Sequence, residues 1–144
     1  MIRSRKFTVR AFFDALNACS LERAERLMAR DFVYIDSCQN CITGRDNCLE
    51  LLSRLWQVDP SYRQEPETIA LVGGQALVQG RVIASDPIMA SDDLLFALKF
   101  HRRKISYFQS FRGDNPPAMA KLLMPEVAQP LTICDAPEEV AQRA

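Results

Sequence analysis

Val9, Phe12, Phe13 and Leu16 recur at i, i+3, i+4 and i+7, the spacing that gathers apolar side chains on one face of a helix. A second stripe, Leu21, Ala24, Leu27 and Met28, follows an N-cap at Ser20 with Glu22 in the first turn, so two helices meet at a tight break over residues 18–20. At Phe32 the period shortens to two. Phe32, Tyr34 and Asp36 share one face and Val33 and Ile35 the other, which predicts a short strand ending in a polar turn. Helical spacing returns after Thr43-Gly44, with Leu49, Leu52 and Trp56 flanked by Leu51 and Leu55, and stops near Pro60. Beyond it strands dominate. Residues 67–72 and 75–84 predict a hairpin over Gly73-Gly74, and 94–101 and 104–112 predict a second one at Arg102-Arg103. A two-residue turn at the second site would favour Gly or Asn, so a longer loop is expected there. Pro116-Pro117 closes the strand region, and residues 118–124 predict a short helix stopped by Pro125. This order argues an α+β fold in which three N-terminal helices pack on a curved antiparallel sheet. One domain over residues 1–124 is expected, followed by a tail, 125–144, flexible or packed on the surface.

Composition adds exclusions. With 144 residues, 48% hydrophobic and 25% charged, the chain suits one globular domain that stabilises its core without metal or disulfide staples. Eighteen basic and eighteen acidic residues cancel. The broad positive field that draws proteins to nucleic acid or anionic lipid is therefore missing, and no nucleic-acid or membrane partner is expected. The longest apolar run, Leu94 to Leu98, is far shorter than a membrane span. Arg10, Asp14 and Asn17 interrupt the apolar N-terminal stretch, so it reads as a helix of the mature fold and the protein as cytoplasmic.

Five cysteines without an export signal argue for reduced thiols. Cys38 and Cys41 have C-x-x-C spacing and Cys48 follows, which raises a metal or redox role. A tetrahedral zinc site would need a second such pair or paired histidines, and His101 is the only histidine. Unpaired thiols in a turn are preferred, and no metal or cofactor is expected.

The element order, together with Phe12-Phe13-Asp14-Ala15-Leu16-Asn17, Leu21, Ala24, Leu27-Met28, Asp31 to Asp36, Gly44-Arg45-Asp46 and the final Lys104-Ile-Ser-Tyr-Phe strand, resembles the nuclear transport factor two-like superfamily. Within it the SnoaL-like and ketosteroid isomerase-like branch is most similar, over about residues 7 to 123. The resemblance implies a cystatin-like cone in which the sheet wraps around a hydrophobic cavity closed by the long helices, and a homodimer. It places the isomerase pattern's general base on Asp36. It places that pattern's oxyanion donors, a tyrosine and a carboxylic acid, on Phe12 and Phe96, which have no polar hydrogen. Enolate chemistry needs donors where negative charge develops, and losing even one costs about 100-fold or more. True ketosteroid isomerisation is therefore not expected.

The strand phase that the resemblance implies points Phe96, Leu98, Phe100, Phe108, Ser110 and Arg112 into the cavity beside Val78 and Val82, with Phe12, Leu16 and Trp56 supplied by helices. Such a lining suits a small hydrophobic molecule oriented by Tyr34, Asp36, Ser110 and Arg112. Each polar residue has a plainer alternative. Asp36 is either an acid/base group whose pKa rises in an apolar site or a cap of the turn at Ser37 to Asn40. Tyr34 either donates to a ligand or fills the core. Arg112 either binds a carboxylate or reaches solvent from the strand end. The basic run His101 to Lys104 reads as a solvated hairpin tip. Leu95, Ala97, Tyr107, Gln109 and Phe111, on the outer sheet face, are too apolar for water and imply cover by a second subunit. The expected function is binding of a small hydrophobic molecule. It comes either with cofactor-independent isomerase, cyclase, dehydratase or hydrolase chemistry at Asp36, or as a non-catalytic carrier or sensor. The third alternative is an interaction dimer whose phenylalanines fill its own cavity.

Overall fold

The structure is a computed structural model that describes residues 4–131. Helix α1 (Arg5–Asn17) starts where the Ser4 hydroxyl accepts from the Phe7 amide, and α2 (Leu21–Leu27) where Ser20 accepts from Arg23. Cys19, at φ 53°, makes the sharp break between them. Strand β1 (Met28–Ile35) turns into β2 (Asn40–Thr43), which leads into helix α3 (Arg45–Val58). Four long strands follow: β3 (Arg63–Val72), β4 (Gln75–Ile83), β5 (Ser91–His101) and β6 (Lys104–Phe111). The short helix α4 (Met119–Leu123) and the edge strand β7 (Gln129–Pro130) complete the described residues.

The seven strands form one sheet in the order β3-β4-β5-β6-β1-β2-β7. The α+β class and the three N-terminal helices stand as expected, with one correction to the sheet, which is mixed. Strand β1 has β2 as its hairpin partner on one edge, and β6, arriving from far along the chain, takes the other edge in parallel. A pattern of apolar and polar residues carries no information about strand direction, so only the assembled sheet reveals this pairing. Residues 125–131 of the predicted tail include β7, paired with β2. Residues 132–144 of that tail lie outside the described residues.

Both hairpins are tight. Gly73 and Gly74 sit at φ 56° and 83°, the positive pair that a two-residue turn with right-handed twist demands. The β5–β6 connection is also only Arg102-Arg103, with His101 opposite Lys104, instead of the longer loop expected. Arg102 accepts a left-handed φ of 58° that Gly or Asn would adopt more easily. Register shifts in β3–β4, β4–β5, β5–β6 and β1–β6 add twist to the sheet. Gly80 is required at one of them, because a Cβ there would lie 2.4 Å from the Glu65 carbonyl oxygen.

The helices cover one face of the sheet, and a phenylalanine cluster fills the space between. The Phe108 ring lies 5.3 Å from Phe96, 5.9 Å from Phe13 and 5.9 Å from Phe12, distances at which tilted aromatic pairs attract beyond their burial. Asn17, at the end of α1, donates to the Gln64 carbonyl and accepts from the Gln64 amide, both at 2.9 Å, which pins the helix to β3. Among the described residues no helix is long and apolar enough to cross a membrane.

Candidate functional site

Between sheet and helices lie two adjoining chambers, of about 50 Å³ and about 40 Å³. Tyr34, Tyr62, Gln64, Phe108 and Met119 belong to the walls of both, so these side chains form the septum. The larger chamber is apolar, bounded by Phe12 and Leu16 of α1, Met28 and Phe32 of β1, and Leu51, Leu52 and Leu55 of α3. The smaller one gathers the polar groups: Ser37, Ser110 and Arg112 stand there beside Val82, Leu94 and Phe96, with Pro116 and Pro117 over them.

Position within each strand explains this division. Phe108, Ser110 and Arg112 alternate along and just beyond β6, so the row that begins with a ring ends with a hydroxyl and a guanidinium. The Tyr34 hydroxyl meets Ser110, whose hydroxyl lies 3.0 Å from that of Ser37. Burial pushes the Tyr34 phenol well above its usual range, and the negative charges possible at Tyr62, Asp36 and Cys48 push it further, against a smaller opposing effect of the Ser110 hydrogen bond. Tyr62 is also raised, chiefly by burial, against the attraction of Arg112. Both phenols therefore stay neutral and keep a proton to donate.

Arg112 does not reach solvent. Its side chain is only 7% exposed, with Nε 2.6 Å from Asp114 Oδ1, and it donates to the carbonyls of Ile88 and Met89 at 2.8 and 3.2 Å. It forms part of the smaller chamber while clamping the β4–β5 loop. Asp36 belongs to the wall of neither chamber. It is 1% exposed, and three backbone amides at 2.9 Å occupy its carboxylate: Cys38 and Asn40 on Oδ1, Ala120 on Oδ2. This is the geometry of the turn cap, extended by a bond to α4.

The remaining expected lining residues divide. Phe12, Leu16, Tyr34, Val82, Phe96, Phe108, Ser110 and Arg112 are brought together around the chambers. Val78 and Leu98 are buried in the core behind them, and Trp56 packs half-buried against that core. Phe100 keeps the inward phase of β5 but lies beyond the chambers, packed half-buried against the core under the Arg5 guanidinium, 4.9 Å from the ring centre. Tyr62, Gln64 and Met119 were not read from the sequence as site residues. Gln64 lies in the first part of β3, where Pro60 and Pro66 mask the strand, although an edge strand at a register shift tolerates proline.

Among the described residues no carboxylate and no histidine lines either chamber. Among the described residues no three His, Cys, Asp or Glu side chains are grouped to hold a metal. Cys48 is buried, its thiol pushed up to about 12 and directed at the Ile42 carbonyl 3.5 Å away, which keeps it protonated. Cys19, Cys38 and Cys48 are free, whereas Cys41 is disulfide-bonded, which corrects the expectation that all thiols are reduced. Cys38 and Cys41 are thus not bridged to each other.

Comparison with known proteins matches this fold. An uncharacterised cystatin-fold protein from Novosphingobium aromaticivorans superimposes with a TM-score of 0.67 at 20% identity, covering 76% of this chain and 99% of the other. A hypothetical protein with a ketosteroid isomerase-like fold from Catenulispora acidiphila, solved in complex with trimethylamine, gives a TM-score of 0.65 at 15% identity, over 77% and 94% of the two chains. TerC, co-crystallised with polyporic acid, gives 0.65 at 13% identity, over 76% and 91%. No curated protein matches significantly by sequence. The profile of the SnoaL-like domain matches residues 9–101, well over half of the chain and spanning α1 through β5. With its helices packed on one face of the sheet and a cavity between them, the chain belongs to the SnoaL-like domain family.

Proposed function

We propose that the protein binds a small, flat, mainly apolar molecule carrying an uncharged oxygen acceptor, and acts as its carrier or sensor. The observation that carries this reading is the division of the cavity into an apolar chamber and one edged by neutral donors, Tyr34, Tyr62 and Ser110. An aromatic or alicyclic body matches the first, and a ketone, quinone or phenol oxygen matches the second. Arg112 spends most of its donors within the protein, so it sets a positive potential at that edge more than it offers a free fork for a carboxylate. Catalysis at Asp36 finds less support: three amides hold its carboxylate outside both chambers, and Phe12 and Phe96 donate nothing to a developing oxyanion. The co-crystallisation of TerC, a protein of the same fold, with polyporic acid supports an oxygenated aromatic ligand.

A thermal-shift screen against neutral aromatic ketones, quinones and phenols tests this. A compound at about 100 times its dissociation constant stabilises the protein by roughly 2.7 kcal/mol, and Tyr34→Phe should weaken an oxygenated hit about tenfold while leaving its deoxygenated analogue unchanged. Silence across the panel would favour a cavity that the phenylalanines alone fill.

The same reading includes a homodimer formed through the outer sheet face. Leu95 and Phe111, directly paired across β5 and β6, are 37% and 41% exposed there. Light scattering at micromolar protein should return about twice 16.3 kDa, and a monomer mass would remove the dimer.

A further inference from the structure

A ligand of the proposed kind needs roughly 300 Å³ or more, far beyond either chamber, so a wall must move before it enters. The walls differ in how they are held. Strands β1, β4, β5 and β6 are laddered on both sides, and α1 is pinned to β3 through Asn17. The segment 113–124, which carries Pro116, Pro117 and Met119 against the chambers, is held differently. Residues 112–118 belong to no strand or helix. Among the described residues, side chains make the polar attachments of this strap: Arg112 to Asp114 at its start, Ala120 N–H to Asp36 Oδ2 at 2.9 Å, the Cys38 thiol to the Pro116 carbonyl at 3.4 Å, and Arg54 to the Leu123 carbonyl at 2.9 Å. Ala120 and Met124 add apolar anchors.

Asp36 is the best placed of these attachments. Its Oδ1 is oriented by two amides of the turn between β1 and β2, so Oδ2 is aimed at the start of α4 with little left to order. We infer that the segment 113–124 is the door of the cavity and that Asp36 is its latch, a positioning residue that admits the ligand when the Ala120 amide leaves it. This rests on the cavity reading above and adds how the cavity opens.

Asp36→Asn tests the latch, because an amide has one oxygen. That oxygen can keep the two turn amides, but its NH₂ then confronts the Ala120 N–H. Hydrogen exchange on the full chain should show amides of residues 119–124 exchanging roughly tenfold faster or more, with α1 and β5 unchanged. Stopped-flow binding of the neutral apolar dye N-phenyl-1-naphthylamine should accelerate in parallel. Wild-type exchange in the strap, or acceleration spread evenly over α1 and β5, would overturn the latch. Should Asp36→Asn not fold, Arg54→Ala frees the same strap at Leu123 and takes the same readouts. Dye binding at equal rates in variant and wild type overturns the door while leaving the cavity reading intact; a dye that binds neither protein overturns the cavity reading itself.

Discussion

Two residues that belong to both chambers, Phe108 and Met119, show how differently the cavity walls are built. Phe108 comes from β6, laddered on one side to β5 and on the other to β1, and its ring contacts those of Phe12, Phe13, Phe96 and Tyr34. Met119 opens a five-residue helix hung from neighbouring side chains. A wall made from ladders and interlocked rings resists displacement, because moving one ring disturbs every neighbour. A wall held by a few polar bonds and two buried apolar anchors, Ala120 and Met124, can move as a unit. The cavity thus combines a rigid floor that sets its shape with a closure that can yield.

Removing each side chain sharpens this contrast. Phe108→Ala should destabilise the protein by about 3–5 kcal/mol, since the surrounding rings are too well held to collapse into the space; chemical denaturation measures it. A loss below about 1.5 kcal/mol would show a floor as soft as the closure. Met119→Ala should cost no more than about 1.5 kcal/mol, because the half-buried side chain sits where the strap can settle, and it should join the two chambers. An increase in affinity for bulkier apolar ligands would confirm the joining.

The smallest expected effect concerns Asp59, which joins the end of α3 to the β4–β5 loop on the rigid side. Its carboxylate accepts from the Ser61 hydroxyl at 2.6 Å and the Ser85 amide at 2.8 Å, and these bonds, opposed by burial, lower its pKa from 3.8 to about 2. A folded-state pKa below the unfolded one means stabilisation that is full above about pH 4 and lost as pH falls through about 2. Asp59→Asn should therefore flatten the stability profile between those values and lower stability above them. Profiles that stay parallel throughout would remove Asp59 as the source.

Much of the rigid side was legible as a sequence. The i, i+3, i+4, i+7 stripe of α1 and the alternation in β4 to β6 reflect burial on one face, and a single side chain's hydrophobicity reports that directly. Eight of the expected lining residues met around the chambers for this reason. Phe100 did not, since it lies on the same inward row past the end of the chambers, and strand alternation does not tell where along a strand a cavity stops. The door was hidden for a related reason. Pro116, Pro117 and Met119 follow no period, and their place depends on Asp36, 84 residues from Ala120 in the chain.

By itself, then, the sequence determined the helices, the long strands, the glycine hairpin and the family, because each depends on contacts between neighbours or on a pattern repeated every two or three to four residues. The tertiary structure alone decided that β1 and β6 run parallel, that Arg112 folds back onto the 88–89 loop, and that Asp36 serves three amides outside the cavity. Those outcomes rest on which polar group is nearest in space, and a buried carboxylate or guanidinium must take the partners the fold brings to it.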